Sequence, residues 1–198
     1  MTIPILFLDI DGVLNSTRYW DDRGRNLPLG KGGALDPDAI ERLNTIVSET
    51  GCRVVLSSSW RGKGNSPKVE AMLQERGFLH TIHDSTPAIF TNDSTHEERW
   101  REITQWLDEH MIDGDFRFVV LDDDPDAWSD ECHHAVVGRF VNTNYLVGLQ
   151  QDGVDLAVEW LNAIADGKPG GSCVFKPTSM TWVDDGIDEL VIRVETGG

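Results

Sequence analysis

Apolar residues in this chain fall into two alternating rhythms, short unbroken runs and stripes of helical spacing. The first strand is predicted over Ile3 to Ile10, opening with an almost purely apolar stretch to Leu8. Cys52-Arg53-Val54-Val55-Leu56 reads as a buried strand, and Phe116 to Leu121, interrupted only by Arg117, as another, which suits strands buried on both faces. Between the first two runs, Asp36 is a good N-cap with Pro37 behind it. Ile40, Leu43, Ile46 and Val47 then recur at helical spacing until Gly51. Ser66-Pro67 opens a second helix to about Arg76. A third runs from about His96 to Glu109 with Trp100, Ile103, Trp106 and Leu107 on one face. A strand over about Ala135 to Val141 and a helix from Val154 to Ile164 complete the alternation. Strands alternating with helices predict an α/β fold, a Rossmann-like parallel sheet flanked by helices.

Two stretches break the rhythm. Asn15 to Ala34 is rich in Asp, Arg and Gly and reads as a long loop or small insertion over the end of the first strand. From Lys168 onward come short β-like runs, Cys173 to Phe175, Thr181 to Val183 and Leu190 to Val194, separated by Pro, Gly and Asp. The expected division is therefore a domain over residues 1–166, with its insertion near 15–34, and a small β-rich extension over 167–198. At 198 residues there is room for one real core and a minimal cap, not for a large second domain.

The strand ends carry the chemistry. Asp9 and Asp11 leave the first strand two residues apart, and Gly12 follows, where a backbone without a Cβ can turn sharply. Like charges about 4 Å apart repel by roughly 4 kcal/mol at an effective dielectric near 20, so a buried acid pair needs compensation, and a divalent cation is the obvious one. The second strand ends in Ser57-Ser58-Ser59. The Phe116 to Leu121 strand ends in Asp122-Asp123-Asp124-Pro125-Asp126. In parallel sheets ligands bind beyond the carboxyl ends of the strands, where all three clusters lie.

This order of motifs, DxDGVL, then an apolar strand ending in Ser, then a basic residue before a helix, then an apolar strand ending in Asp-Asp, resembles the haloacid dehalogenase (HAD) superfamily of phosphotransferases. DIDGVLN with VVLSSSWR, VVLDDD and a later GLQ is similar to the HAD domain of Swiss Army Knife RNA repair proteins. The resemblance implies a phosphatase in which Asp9 is the nucleophile and forms an aspartyl phosphate, with Asp11 as general acid and then base. Mg2+ would be held by Asp9, the Asp11 backbone carbonyl and Asp122. Asp123 would hold a metal-bound water, with Asp126 as competitor. Ser57, with the Ser58 and Gly12 amides, would bind phosphate, and Ser58 or Ser59 are alternatives to Ser57. Most of the family uses a lysine to steady the aspartyl phosphate. Here Lys63, Arg99 and Arg101 compete for that place, and position along the chain favours either arginine.

The remaining signals narrow the function class. Seventeen basic against thirty-four acidic residues give a net charge of −17, which favours cations and opposes binding along nucleic-acid backbones or anionic membranes. The expected substrate is a phosphorylated small molecule, a nucleotide or a nucleic-acid phosphate end. Cys52, Cys132 and Cys173 form no disulfide framework, and neither a membrane span nor an export signal is evident, so the expected compartment is the cytoplasm. Gly24 to Lys31 fails as a P-loop, because five residues separate the glycines and Gly32 stands where Ser or Thr belongs. Cys132-His133-His134 lacks zinc-like spacing. Trp100, Trp106 and Trp160 read as core, whereas Trp20 and Trp60 border the site. The competing class is a non-catalytic phosphate-binding or receiver-like signalling module. In a receiver the acid pair precedes the phosphorylated Asp, whereas here the pair opens with the proposed nucleophile.

Overall fold

The computed structural model describes residues 3–23, 35–62, 64–89, 98–110, 118–124 and 139–165. The order of elements is β1 (Ile5–Leu8), α1 (Thr17–Arg23), α2 (Pro37–Thr50), β2 (Arg53–Leu56), α3 (Ser66–Glu75), β3 (Ile82–Ser85), α4 (Glu98–His110), β4 (Phe118–Asp122), β5 (Phe140–Asn142) and α5 (Gln151–Ala165). A 3-10 turn, Ser59–Arg61, follows β2. Five strands form one parallel sheet in the order β3-β2-β1-β4-β5. This is the predicted α/β, Rossmann-like architecture.

Parity along the strands sorts the core into two layers. Leu6, Leu8, Val54, Leu56, Val119 and Leu121 pack with Ile40 and Leu43 of α2, Leu73 of α3 and Leu161 of α5. Ile5, Phe7, Val55, Phe118 and Val120 face the other way, onto Ile103, Trp106 and Leu107 of α4. Phe7 meets Trp106 edge to face with ring centroids 5.4 Å apart, and the Trp106 indole donates to Asp84 Oδ2 at 2.7 Å, tying α4 to β3. A helix covering each face of a parallel sheet is what buries strands on both sides.

The ends of α2 match their sequence signals. Asp36 accepts from the Asp38 amide, Pro37 opens the helix, and Gly51 closes it at φ 64°, where L side chains are strained. Two elements differ from the expectation. The Asn15 to Ala34 stretch, read as loop or insertion, contains α1, on which Tyr19 is buried and Trp20 exposed. β3 lies where no strand was predicted: Ile82-His83-Asp84-Ser85 is a half-exposed edge strand with one apolar residue. Residues 24–34 of the insertion, the extension over 167–198 and Cys132-His133-His134 lie outside the described residues. Among the described residues no helix is long and apolar enough to cross a membrane.

Candidate active site

Register places the site. Leu8 is paired with Leu56 on one side and Leu121 on the other, so the next residues, Asp9, Ser57 and Asp122, emerge side by side from three adjacent strands. The Asp9 amide donates to Leu121 O at 3.0 Å and the Ser57 amide to Leu8 O at 2.8 Å, which extends the ladder by one residue. Asp9, Ser57 and Asp122 share the parity of Phe7, Val55 and Val120, the face covered by α4. The chain runs β1, β2, β3 outward on one side and then crosses to β4 on the other, so this is also the switch point of the sheet.

Arg99 reaches the row from the first turn of α4. Its Nη1 lies 3.1 Å from Asp9 Oδ1 and 3.0 Å from Asp122 Oδ2, and it donates to the Ser57 carbonyl. Arg101 is exposed, as a step of about 200° around the helix requires. The structure thus separates the two arginines that position alone left open, and Lys63 lies outside the described residues. The α4 positions 99, 103 and 106 share one stripe, and that spacing was available in the sequence.

Asp9, Asp122 and Asp123 each bring a carboxylate oxygen within 4.8 Å of the others. Burial pushes all three carboxyls up, and their mutual repulsion adds to it for Asp122 and Asp123. Asp122 rises from an ordinary 3.8 to about 7 and Asp123 to about 6, while the charge of Arg99 pulls each back. Ser58 and the Ile10 amide also hydrogen-bond Asp9. Burial opposes the charge on Arg99, but Asp9 and Asp122 outweigh it and hold the guanidinium firmly protonated. One cation facing three acids leaves a deficit of positive charge. Hard carboxylate oxygens in this arrangement fit Mg2+.

Gly12 serves this cluster in a way the sequence did not reveal. Its φ is +68°, and a Cβ built there would fall 2.2 Å from Asp123 Cγ, so glycine provides both the turn and the room for Asp123. Its amide, expected to face phosphate, donates to Asn15 Oδ1 at 2.9 Å. Its carbonyl accepts from Thr143 Oγ1 at 2.9 Å. The Asp11 side chain stands apart from the acid cluster. Asn15 Nδ2 donates to its Oδ1 at 2.7 Å and the Trp60 indole to its Oδ2 at 2.9 Å. Trp20 is exposed on α1.

The Ser57 hydroxyl is buried and has no hydrogen-bond partner among the described residues. An unsatisfied buried polar group costs about 1–3 kcal/mol, and an oxygen acceptor placed there would remove that cost. Ser58 Oγ accepts from the Trp60 amide at 3.4 Å and so caps the turn. Asp124 donates its amide to Asp122 Oδ1 at 3.0 Å, fixing that carboxylate, while Asp126 lies outside the described residues.

A buried ion pair, invisible to pattern reading, braces the same corner. Arg61 Nη2 lies 2.5 Å from Glu102 Oε2 with both side chains 7 % exposed. Arg61 also donates to the carbonyls of Ser58, Thr86 and Pro87, and Glu102 accepts from the Ile89 amide. The turn after β2, the segment after β3 and α4 are thereby fastened together one helical turn from Arg99.

Residues 5–154 match the family described as the HAD domain in Swiss Army Knife RNA repair proteins. The chain belongs to this family. The match covers both acid motifs, the serine motif and α4, and it places the protein in the HAD class of hydrolases and phosphatases. No curated protein matches the chain.

Proposed function

We propose that this HAD domain is a magnesium-dependent phosphomonoesterase of the cytoplasm that works through an aspartyl phosphate on Asp9. The observation that carries the reading is the row of Asp9, Ser57 and Asp122 on three adjacent strand ends, clasped by Arg99. Its substrates are phosphorylated small molecules, nucleotides or nucleic-acid phosphate ends. The net charge of −17 disfavours long polyanions and membrane surfaces.

In this reading an Asp9 carboxylate oxygen attacks phosphorus, the bond to the leaving oxygen breaks, and Asp11 gives that oxygen a proton. Water then attacks the aspartyl phosphate, returns a proton to Asp11 and frees inorganic phosphate from Asp9. Ser57 Oγ donates to a phosphoryl oxygen. Arg99, already bonded to Asp9, offsets the negative charge gathered there. Asp9, Asp122, Asp123 and the Asp11 carbonyl would hold Mg2+, which supplies positive charge that lets an anionic nucleophile meet an anionic phosphate.

The test is phosphate release from an aryl phosphate with and without magnesium, for the wild type, Asp9→Asn and Asp11→Asn. A panel of nucleotides and 3′-phosphorylated oligonucleotides follows. Metal-dependent release lost in Asp9→Asn and slowed, but still measurable, in Asp11→Asn supports the reading. Equal release by the wild type and Asp9→Asn removes the nucleophile, and phosphate binding without turnover points to the non-catalytic module.

A further inference from the structure

Both oxygens of the Asp11 carboxylate are already held by protein N–H groups, and the two donors come from different strands' ends. Asn15, on the segment after β1, donates at 2.7 Å to Oδ1. Trp60, in the turn after β2, donates at 2.9 Å to Oδ2. Each donor is itself fixed. Asn15 is 5 % exposed and accepts the Gly12 amide through its own Oδ1. The Trp60 backbone donates to Ser58 Oγ and accepts from Asn65 Nδ2 at 3.1 Å, and its ring packs against the core layer of β1 and β2.

A carboxylate has about four lone-pair sites, so two N–H bonds leave one site on each oxygen. What the bonds remove is freedom. Rotation about the last side-chain bond of Asp is soft, and nothing intrinsic to Asp11 sets the plane of its carboxyl group. Two donors from two fixed directions set that plane, and with it the direction in which the remaining lone pairs can pass a proton. A polar anchor is also a costly place for a tryptophan unless its N–H is used, and here the partner is the acid itself.

We propose that Trp60 is a positioning residue for the acid–base chemistry of Asp11, acting with Asn15 to aim the carboxyl group at the leaving oxygen. The proposal rests on the phosphatase reading above. Trp60 does not have to touch substrate in this role. Its contribution is felt in proportion to how much the leaving group needs a proton. An alkoxide is a poor leaving group and depends on the acid, whereas a nitrophenolate departs with little help.

The experiment compares kcat/KM, which reports the first phosphoryl transfer, for glycerol phosphate and para-nitrophenyl phosphate in the wild type and Trp60→Phe, which keeps an aromatic ring and deletes the N–H. The expected result is that the ratio of aryl to alkyl kcat/KM rises about tenfold or more in the variant, a fraction of the hundredfold or larger contribution typical of general acids. In the Asp11→Asn background the same substitution changes that ratio little, because the group it positions is gone. Asn15→Ala, probed in the same way, removes the other donor and shifts the ratio in the same direction. A magnesium-induced rise in melting temperature retained by Trp60→Phe shows that the acid cluster is intact. Equal losses on both substrates, or an undiminished effect without Asp11, overturn the positioning role while leaving the phosphatase reading standing. A wild type with no turnover of either substrate overturns both.

Discussion

Gly12 leaves empty the space that Asp123 fills: a Cβ at position 12 would lie 2.2 Å from the Asp123 carboxyl carbon. The glycine of the first acid motif and the second acid of the last one are therefore a single steric unit, although 111 positions, 123 less 12, separate them in the chain. Gly12→Ala forces Asp123 out of the cluster and places an L side chain at φ +68°, a strain of about 1–2 kcal/mol. The expected outcome is a folded protein, melting a few degrees lower, whose magnesium-induced thermal shift and phosphate release are both lost. A variant that keeps the full magnesium shift contradicts the role of Asp123.

Arg99 is the cation that makes the acid row tolerable without metal. Arg99→Ala leaves Asp9 and Asp122 facing each other unpaired, and removing one partner of a buried ion pair typically costs about 3–5 kcal/mol. The loss is larger at pH 8 than at pH 5, because protonated carboxyls need no counter-charge. Chemical denaturation of the wild type and variant at both pH values measures it.

How much of this was legible in the sequence depends on what each element buries. β1, β2 and β4 lie inside the sheet, and their unbroken apolar runs announced them. α2 carried its own punctuation in Asp36, Pro37 and Gly51. β3 was hidden because an edge strand with one covered face needs few apolar residues, and Ile82 is its only one. α1 was hidden because seven residues are too few to show a helical period. In the site, Asp9, Ser57 and Asp122 could be read from strand ends, since register is fixed wherever both faces are buried. The choice between Arg99 and Arg101 needed the docking angle of α4, which the stripe of Ile103 and Trp106 encodes. The Arg61–Glu102 pair left no trace, because a basic residue after a strand and an acid in a helix are ordinary surface patterns until the packing closes over them.

That pair carries a prediction of its own. Glu102→Gln strands the Arg61 guanidinium in a buried setting and lowers stability by about 3 kcal/mol, or roughly 6–12 °C in melting temperature for a chain of this size. Arg61→Met combined with Glu102→Leu recovers much of the loss, since no charge is then left uncompensated. Thermal melts of the single and double variants decide it.

The acid cluster gives the metal-free protein a definite pH dependence. Asp122 and Asp123 titrate near 7 and 6 when folded, against an ordinary 3.8, and Asp9 is shifted in the same direction. The folded state therefore holds more protons than the unfolded state between about pH 4 and 7. Stability from this source is full below the lower limit and falls as pH rises through the folded values. In the proposed function magnesium would bind the ionised cluster, and it is then expected to restore more stability at pH 8 than at pH 5. Melting curves with magnesium or a chelator across that range check both halves.

The most direct measurement is chemical trapping of the covalent intermediate. Protein turning over an aryl phosphate with magnesium is quenched in acid, reduced with borohydride and mapped by mass spectrometry, which converts an aspartyl phosphate to homoserine. The account predicts homoserine at position 9, absent from Asp9→Asn. Phosphate release by an enzyme that shows the modification at another residue, or none at all, would contradict it.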